Sequence, residues 1–498
     1  MVTLRAVLAT ALLICSASQI GAQTVTLSDT NGVPLLEGPL SSGNAQVIEL
    51  DSKYGPVVVN APALSCKGDC PTDEDGTQSL VITGEPWLID NLLAIHVEAF
   101  ANRNGIPFTK IENRFELGGQ NPVAITLKYD SSTNSIDALV NNETDIALTF
   151  RPVTTLEAEQ LQPEIYGKVR PQLRSQIIAF DALAPITSPL NAIDTLRDVA
   201  IFEILDEKAT NWRDVGGPNL DIQLTFGDND QWSYEITEQF GLTSPTSISE
   251  VIDNGTVLND GAFGIVPFSA AHRSKVLNIM GPCGFGTKLH RRSVKALDYP
   301  LTLPIMAYFP PRAIPPIAAS LFSFMTSPSG NLVTQRAGFF DPSVEEIPAN
   351  LQGERLLTAI QTVKTVEDLT LAQSMASLML QTNRLSTTFR FAAGSTDLDM
   401  VSKAHLQALA TDLQNGRYLG RTLYLVGFSD GAGPSNINLN LSIERAETVL
   451  QSLRAFIPEE DRTRHQIETR GFGEILPIDC DDQIIGRNVN RRVEIWID

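Results

Sequence analysis

The chain has 498 residues, of which 43% are hydrophobic and 19% charged, with a mean hydropathy of -0.01. That length implies about two to four domains, and the composition is too apolar for disorder and too polar for a multi-span membrane protein. Against 58 acidic residues stand 37 lysines and arginines, giving a formal charge of -21 and a pI near 4.7. This balance excludes nucleic acid as the first-choice partner and disfavours adsorption to anionic lipid.

Residues 1–22 read as a secretory signal peptide: a positive start through Arg5, a mainly apolar run from Ala6 to Ile14, then small and polar residues. Cleavage is expected after Ala22, with Ala17 as the second choice. Lipidation at Cys15 is disfavoured because Ile14 stands where a small residue is normally needed. Elsewhere no run of about 18 apolar residues occurs, so no transmembrane span is expected in the exported chain.

Export leaves Cys66, Cys70, Cys283 and Cys480, which allow three pairings. Cys66 and Cys70 frame a tight Lys-Gly-Asp turn and are expected to form a local disulfide. A metal site there lacks a histidine within twenty residues. Cys283 and Cys480, far apart in the chain, are read as unpaired, buried thiols.

In chain order, residues 23–72 form a small β-module. Val25 and Leu27 alternate with polar neighbours, Asn31-Gly32 signals a hairpin, and Val47, Glu49 and Tyr54 to Val59 continue the strand pattern. So short a segment has a marginal core and needs support from a neighbour or from its cysteine pair. Over residues 73–342 strands alternate with helices. Strands are expected at Ser79 to Thr83, Ala124 to Tyr129, Asp145 to Phe150, Gln176 to Phe180, Ile222 to Phe226 and Gly264 to Phe268. Helical stripes run through Leu92, Leu93, Val97 and Phe100 and again over Ile136 to Val140. This is an α/β pattern, with ligand chemistry at the loops beyond the strand ends. Residues 343–384 carry helical stripes (Leu356, Leu357, Ile360, Val363; Leu371, Met375, Leu378, Met379) and form a linker docked on one of the domains. Its methionines point to packing.

Residues 385–498 alternate again. Strands are expected at Thr387 to Phe391, Arg421 to Val426, His465 to Arg470 and Arg491 to Ile497, the last with Val493, Ile495 and Ile497 inward. Helices run through Leu398, Leu406, Leu409 and Leu413 and over Leu441 to Phe456. The string Gly427-Phe428-Ser429-Asp430, Gly433, Asn438, Leu441-Ser442, Arg445-Ala446, Gly471-Phe472-Gly473-Glu474, Pro477 and Asn490-Arg491-Arg492-Val493-Glu494 resembles the OmpA-like peptidoglycan-binding domain over nearly the whole segment. The resemblance implies that Asp430 and Arg445 grip the diaminopimelate of a peptidoglycan stem peptide, with Ser429 and Asn438 beside them. The chemistry agrees: a zwitterionic end group needs one anionic acceptor and one two-pronged cationic donor on a rigid scaffold. The same stretch, Gly427 to Gly431, fits the G-x-S-x-G nucleophile elbow. A long loop before the next helix, and a single downstream histidine, His465, argue against a hydrolase.

The middle segment resembles the periplasmic phosphate-binding-type receptors of ABC importers. The resemblance rests on Asp145-Ile146-Ala147-Leu148 with Arg151-Pro152, Ala182 to Ser188, Thr210 to Asp214, Gly261 to Ser269, Tyr299-Pro300-Leu301 and Gly338 to Asp341. It implies two α/β lobes hinged around a cleft, with an anion held at helix N-termini. Gly84, Glu85, Thr149, Arg151 and Asp228 are the cleft candidates. Yet Gly84-Glu85-Pro86-Trp87 and Gly227 to Trp232 put Glu85, Asp228 and Asp230 where hydroxyl donors belong, so weak or absent phosphate binding is expected.

The five histidines are scattered and no P-loop or dinucleotide fingerprint is present, so neither cofactor nor metal is expected. The sequence therefore predicts a multidomain α/β chain: a small N-terminal β-module, a two-lobed periplasmic-binding-protein-like domain, and a C-terminal OmpA-like α/β sandwich. It would be a non-enzymatic binding protein of the periplasm, held on peptidoglycan near the outer membrane. The middle domain would take a small anion or a protein partner. The alternatives are the substrate-binding component of a phosphate-type importer and an envelope hydrolase.

Overall fold

The computed structural model describes residues 24–28, 34–43, 47–52, 55–60, 65–68, 78–119, 122–161, 174–227, 250–252, 258–271, 273–281, 283–310, 314–391, 395–482 and 484–498. The expected signal peptide, Cys70 (and with it the Cys66–Cys70 pairing), Asp228 and Asp230 lie outside the described residues. Two compact units divide between Gln78 and Ser79.

The first unit comprises β1 (Thr24–Ser28), β2 (Pro34–Gly43), β3 (Val47–Ser52), β4 (Gly55–Asn60) and β5 (Ser65–Gly68). They form an antiparallel sheet in the order β4-β3-β2-β1-β5. Its core is small, Val25 and Leu27 with Ile48 and Leu50, the alternate residues of two strands.

The second unit opens with β6 (Gln78–Gly84), which leads through a π turn at Ile89–Leu93 into α1 (Ala94–Asn104). Then come β7 (Phe108–Ile111), β8 (Arg114–Leu117), β9 (Val123–Tyr129), α2 (Ser132–Val140), β10 (Ile146–Thr149), α3 (Thr155–Gln160) and β11 (Arg174–Thr187). The second lobe is built on β12 (Thr195–Arg197), α4 (Asp198–Leu205), β13 (Gln223–Gly227), β14 (Glu250–Ile252), β15 (Ala262–Pro267), β16 (Lys275–Val276) and β17 (Asn278–Met280). After α5 (Arg291–Lys295), β18 (Thr302–Phe309), α6 (Pro316–Met325) and α7 (Pro328–Arg336) return to the first lobe.

β11 ties the lobes together. From Arg174 to Ala182 it pairs with β18, and from Leu183 to Thr187 with β15, both antiparallel. One continuous sheet, β14-β13-β15-β11-β18-β10-β6-β9-β8-β7, therefore crosses both lobes. At the change of partner sits the fully buried Asp181, which accepts from the Ser269 hydroxyl at 2.5 Å.

Next in the chain are β19 (Glu346–Ile347), α8 (Gly353–Gln361), α9 (Val366–Gln381), β20 (Asn383–Arg390), α10 (Met400–Gln414), β21 (Thr422–Phe428), α11 (Ser435–Phe456), β22 (Gln466–Gly471), α12 (Ile484–Asn490) and β23 (Arg492–Ile497). The sheet order is β19-β20-β23-β21-β22, with β21 and β22 parallel and β23 antiparallel to β20 and β21. α10 and α11 cover one face, packing Leu406, Leu409 and Val449 on Leu425, Val493 and Ile495. α9 covers the other, packing Met375 and Met379 on Val426, Phe428 and Trp496. The docked linker therefore changes the expected pattern of β23: Arg492, Glu494 and Trp496 are as buried as Val493, Ile495 and Ile497.

The buried charges of that second face pair with one another and with the two-lobed domain. Arg384 donates both guanidinium arms to Asp298, at 2.5 and 2.9 Å, and lies 3.2 Å from Glu494. Arg355 and Arg492 meet the Glu494 carboxylate at 2.5 and 2.6 Å. Lys295, 1% exposed, bonds Asp341 and Glu345.

The C-terminal domain touches both lobes. Ala404 of α10 joins the apolar cluster of Ile136, Leu139, Ala147 and Tyr308 in the first lobe. In the second lobe, the segment after β17 is tied to it by a disulfide between Cys283 and Cys480, 197 residues apart, with Cα atoms 5.7 Å from each other. The expectation of two unpaired thiols is thus overturned. The fold brings the cysteines together where Gly281 lacks the side chain that would collide with Cys480.

Candidate functional site

At the C-terminal end of β21 the chain enters the loop 429–434, then α11 directly after Pro434. The helix starts earlier than the sequence pattern indicated, because Ser435 to Leu439 are polar or alternate irregularly and hide the first turn. Arg445 consequently stands in mid-helix, not in the first turns. α11 lies against β21 and β22 at unusually short range: a Cβ on Gly427 would collide with the Ser442 carbonyl, and one on Gly471 with Ile443. These two glycines bring Arg445 under the loop.

Arg445 is fully buried. Its Nη1 donates to the Phe428 carbonyl and its Nε to the Ser395 carbonyl, both at 3.3 Å, and the guanidinium lies over the Phe391 ring. Nη2 has no hydrogen-bond partner among the described residues. Burial lowers its pKa to about 10, opposed by Asp430 and reinforced by Arg491, so it remains a cation at neutral pH.

Asp430 is the adjacent anion, and the cation it bonds is Arg491, whose Nη1 donates to Oδ2 at 2.8 Å. The fold brings Asp430 and Arg445 to one end of β21, and Arg491 joins them there. Its only signal in the sequence was membership of the Asn490-Arg491-Arg492 string. Asn438, buried, donates to Glu474 at 2.7 Å, and Asp481 accepts from the Gly431 amide at 2.9 Å. The Ser429 hydroxyl is buried and unpartnered among the described residues; His465 bonds the Leu413 carbonyl. The site therefore combines two guanidiniums with a carboxylate rim, an arrangement complementary to an ammonium and a carboxylate on one small group.

The cleft candidates of the two-lobed domain are differently employed. Glu85 is buried, and its Oε1 accepts from the Ser132 amide at 2.6 Å and the Ser132 hydroxyl at 2.9 Å. An internal carboxylate thus occupies the N-terminus of α2, the kind of position that suits a bound anion. Arg151 makes a two-pronged pair with Glu157, at 2.7 and 2.9 Å, and also donates to Thr133. Thr149 is buried and donates to the Arg151 carbonyl. Gly84 allows β6 to approach Leu148 of β10. Glu85 is thus a structural cap as well as a negative charge. Trp87 donates to Ser269, which in turn bonds Asp181.

Comparison with known proteins agrees with this division. The PBP superfamily domain matches residues 71–329 and the OmpA family matches residues 390–491. The phosphate-binding protein PstS of Borreliella burgdorferi is 31% identical over 114 residues, 23% of this chain; the chain spans 37% of that relative's length. Among solved structures, a putative phosphate ABC transporter substrate-binding protein from Clostridium perfringens is 19% identical, covering 53% of this chain and 99% of its own, with a TM-score of 0.40. The peptidoglycan-associated lipoprotein from Burkholderia pseudomallei is 24% identical, covering 22% of this chain and 89% of its own, with a TM-score of 0.20. The chain belongs to the PBP superfamily and carries an OmpA family domain at its C-terminal end.

Proposed function

We propose that this is a non-catalytic cell-envelope protein of the periplasm that binds the diaminopimelate-containing stem peptide of peptidoglycan. The observation that carries the reading is Arg445, a buried cation with one guanidinium nitrogen unpartnered among the described residues, beside the Asp430–Arg491 pair. In the bound state Arg445 clamps the ligand carboxylate, and Asp430 with the acidic rim accepts the ammonium. Loss of either residue leaves a desolvated charge unpaired, which costs about 2 to 5 kcal/mol, roughly thirty-fold or more in affinity.

The two-lobed domain serves as a fixed module facing a partner or a small anion, and not as an importer's travelling receptor. Three observations support this. Glu85 fills the α2 N-terminus, Arg151 is neutralised by Glu157, and the C-terminal domain is fastened to both lobes. A hinge whose two sides share one rigid neighbour has little freedom to open and close.

The test is co-sedimentation of the full chain with purified sacculi. Wild type should pellet, and Asp430→Ala and Arg445→Lys should stay largely in the supernatant while unfolding at near-normal denaturant concentration. Equal pelleting of wild type and Asp430→Ala would sink the assignment.

A further inference from the structure

Positive charge in this acidic chain gathers in one unassigned place. A cavity of about 410 Å³ opens where the loop after β17, the start of α5, helix α8 and the edge of the C-terminal sheet meet. Its wall carries Lys288, Arg292, Arg355 and Arg384 together with His290, and the one carboxylate among its described lining residues is Asp298. Directly behind the wall the imbalance continues. Arg355, Arg384 and Arg492 share Asp298 and Glu494 as anionic neighbours in the buried cluster, and Arg390 has Asp399 besides.

The pairing there is incomplete. Arg355 gives one arm to Glu494 and another to Gln352, but its Nε has no partner among the described residues. Arg390 is hydrogen-bonded to backbone carbonyls, those of Leu297, Asn488 and Val489. Burial and mutual repulsion hold Arg390 at about 10 and Arg492 at about 9, the direction expected of cations short of counter-charge. By contrast, Lys295 and Arg291 nearby are matched by Asp341 and Glu345. Arg292, on the cavity wall, also reaches Glu345, at 4.0 Å, and the cavity's cations outnumber the carboxylates among its described lining residues.

We propose that this cavity is a binding site for a small organic polyanion bearing two or more carboxylate or phosphate groups. Guanidinium forks suit either head group, since each offers parallel N–H donors to two oxygens. The volume exceeds that of a single inorganic anion and falls within the range of ordinary small-molecule sites. The site is separate from the cleft, whose anion position is filled by Glu85.

Calorimetry and thermal shift on the full chain test this with two probes, citrate for carboxylates and inorganic pyrophosphate for phosphates. Saturable one-site binding of at least one probe is expected, and which one binds identifies the head group. The double variant Lys288→Ala/Arg292→Ala should weaken it by about tenfold or more. Leu357→Glu, which places a carboxylate on the exposed rim of the cavity, should do the same without touching the buried cluster. Lys208→Ala/Arg213→Ala, removing equal charge from another surface, should leave affinity unchanged. Absence of saturable binding by both probes at millimolar concentration overturns the proposal. So does equal weakening by the cavity and the remote double variants, which would reduce the effect to net charge.

Discussion

The Asp430 carboxylate accepts a 2.8 Å hydrogen bond from Arg491, and the two side chains are only 15% and 8% exposed. Arg445, the third charge of the site, donates to the Ser395 and Phe428 carbonyls, and its Nη2 has no hydrogen-bond partner among the described residues. On the proposed reading Arg491 is a positioning residue that orients Asp430. A double-mutant cycle on sacculus binding checks this. Arg491→Ala alone should weaken binding several-fold, and adding it to Asp430→Ala should weaken binding little further, a coupling of about 0.5 to 3 kcal/mol. Strictly additive losses would show that Arg491 acts on the ligand by itself.

Much of this was legible in the residues. Alternation marked β6, β9, β10 and β21, and the spaced glycines and Asp430 marked the loop that follows β21. What escaped was tertiary. Val493, Ile495 and Ile497 read as the buried face of β23, while Arg492, Glu494 and Trp496 gave no sign that α9, more than a hundred residues earlier, covers them. Charge pairing made that burial possible, and pairing across domains leaves no local pattern. Glu85 read as a repulsive charge because its partner Ser132 is distant in sequence. The partner of Asp430 was hidden in the same way.

The Cys283–Cys480 bond closes a loop of 197 residues. Mass mapping of unreduced protein should yield the cross-linked peptide containing both residues. In the chain-entropy limit such a long loop contributes about 5 kcal/mol, and measured values usually fall below it. Cys283→Ser/Cys480→Ser should therefore lower the unfolding midpoint, and reductant should lower that of wild type more than that of the double variant, in which only the expected Cys66–Cys70 pair is left to reduce. A midpoint insensitive to both would show that the ionic and apolar contacts alone hold the domains.

Glu494 lies among Arg355, Arg384 and Arg492, which hold its carboxyl far below the usual range against the burial that would raise it. Asp298 is lowered likewise by Arg384. A carboxylate with a depressed folded pKa contributes stability that is complete above its unfolded value, near 4.5, and is lost as pH falls below that. Glu494→Gln should cost about 3 to 5 kcal/mol at neutral pH, because it strands buried guanidiniums. Urea unfolding at pH 7 and pH 4 measures both. The variant's deficit should shrink in acid, and a deficit under about 1 kcal/mol at pH 7 would contradict the cluster's role.

Asp181, at the point where β11 changes partners, titrates in the opposite sense. Burial pushes its carboxyl up to about 7, although Ser269 and the Ala182 amide donate to it. Its unfolded value is the ordinary 3.8. The folded state thus binds the proton more tightly, and its contribution is complete below about pH 4 and is lost as pH rises through about 7, a few kcal/mol over the whole span. Asp181→Asn mimics the protonated carboxyl and removes this dependence, since its amide can donate to the Ser269 oxygen while its carbonyl accepts from the two backbone amides. The stability of Asp181→Asn relative to wild type should therefore increase from pH 5 to about pH 7 and level off above it, as read from unfolding midpoints of both proteins in the same buffers. Comparing the two proteins cancels other titrations, including those of the buried His96 and His405, whose lowered pKa values act in the other direction. A difference that stays constant with pH would mean that the Ser269 and Ala182 donors keep Asp181 ionised in the fold, and that the hinge strand carries a buried negative charge at neutral pH.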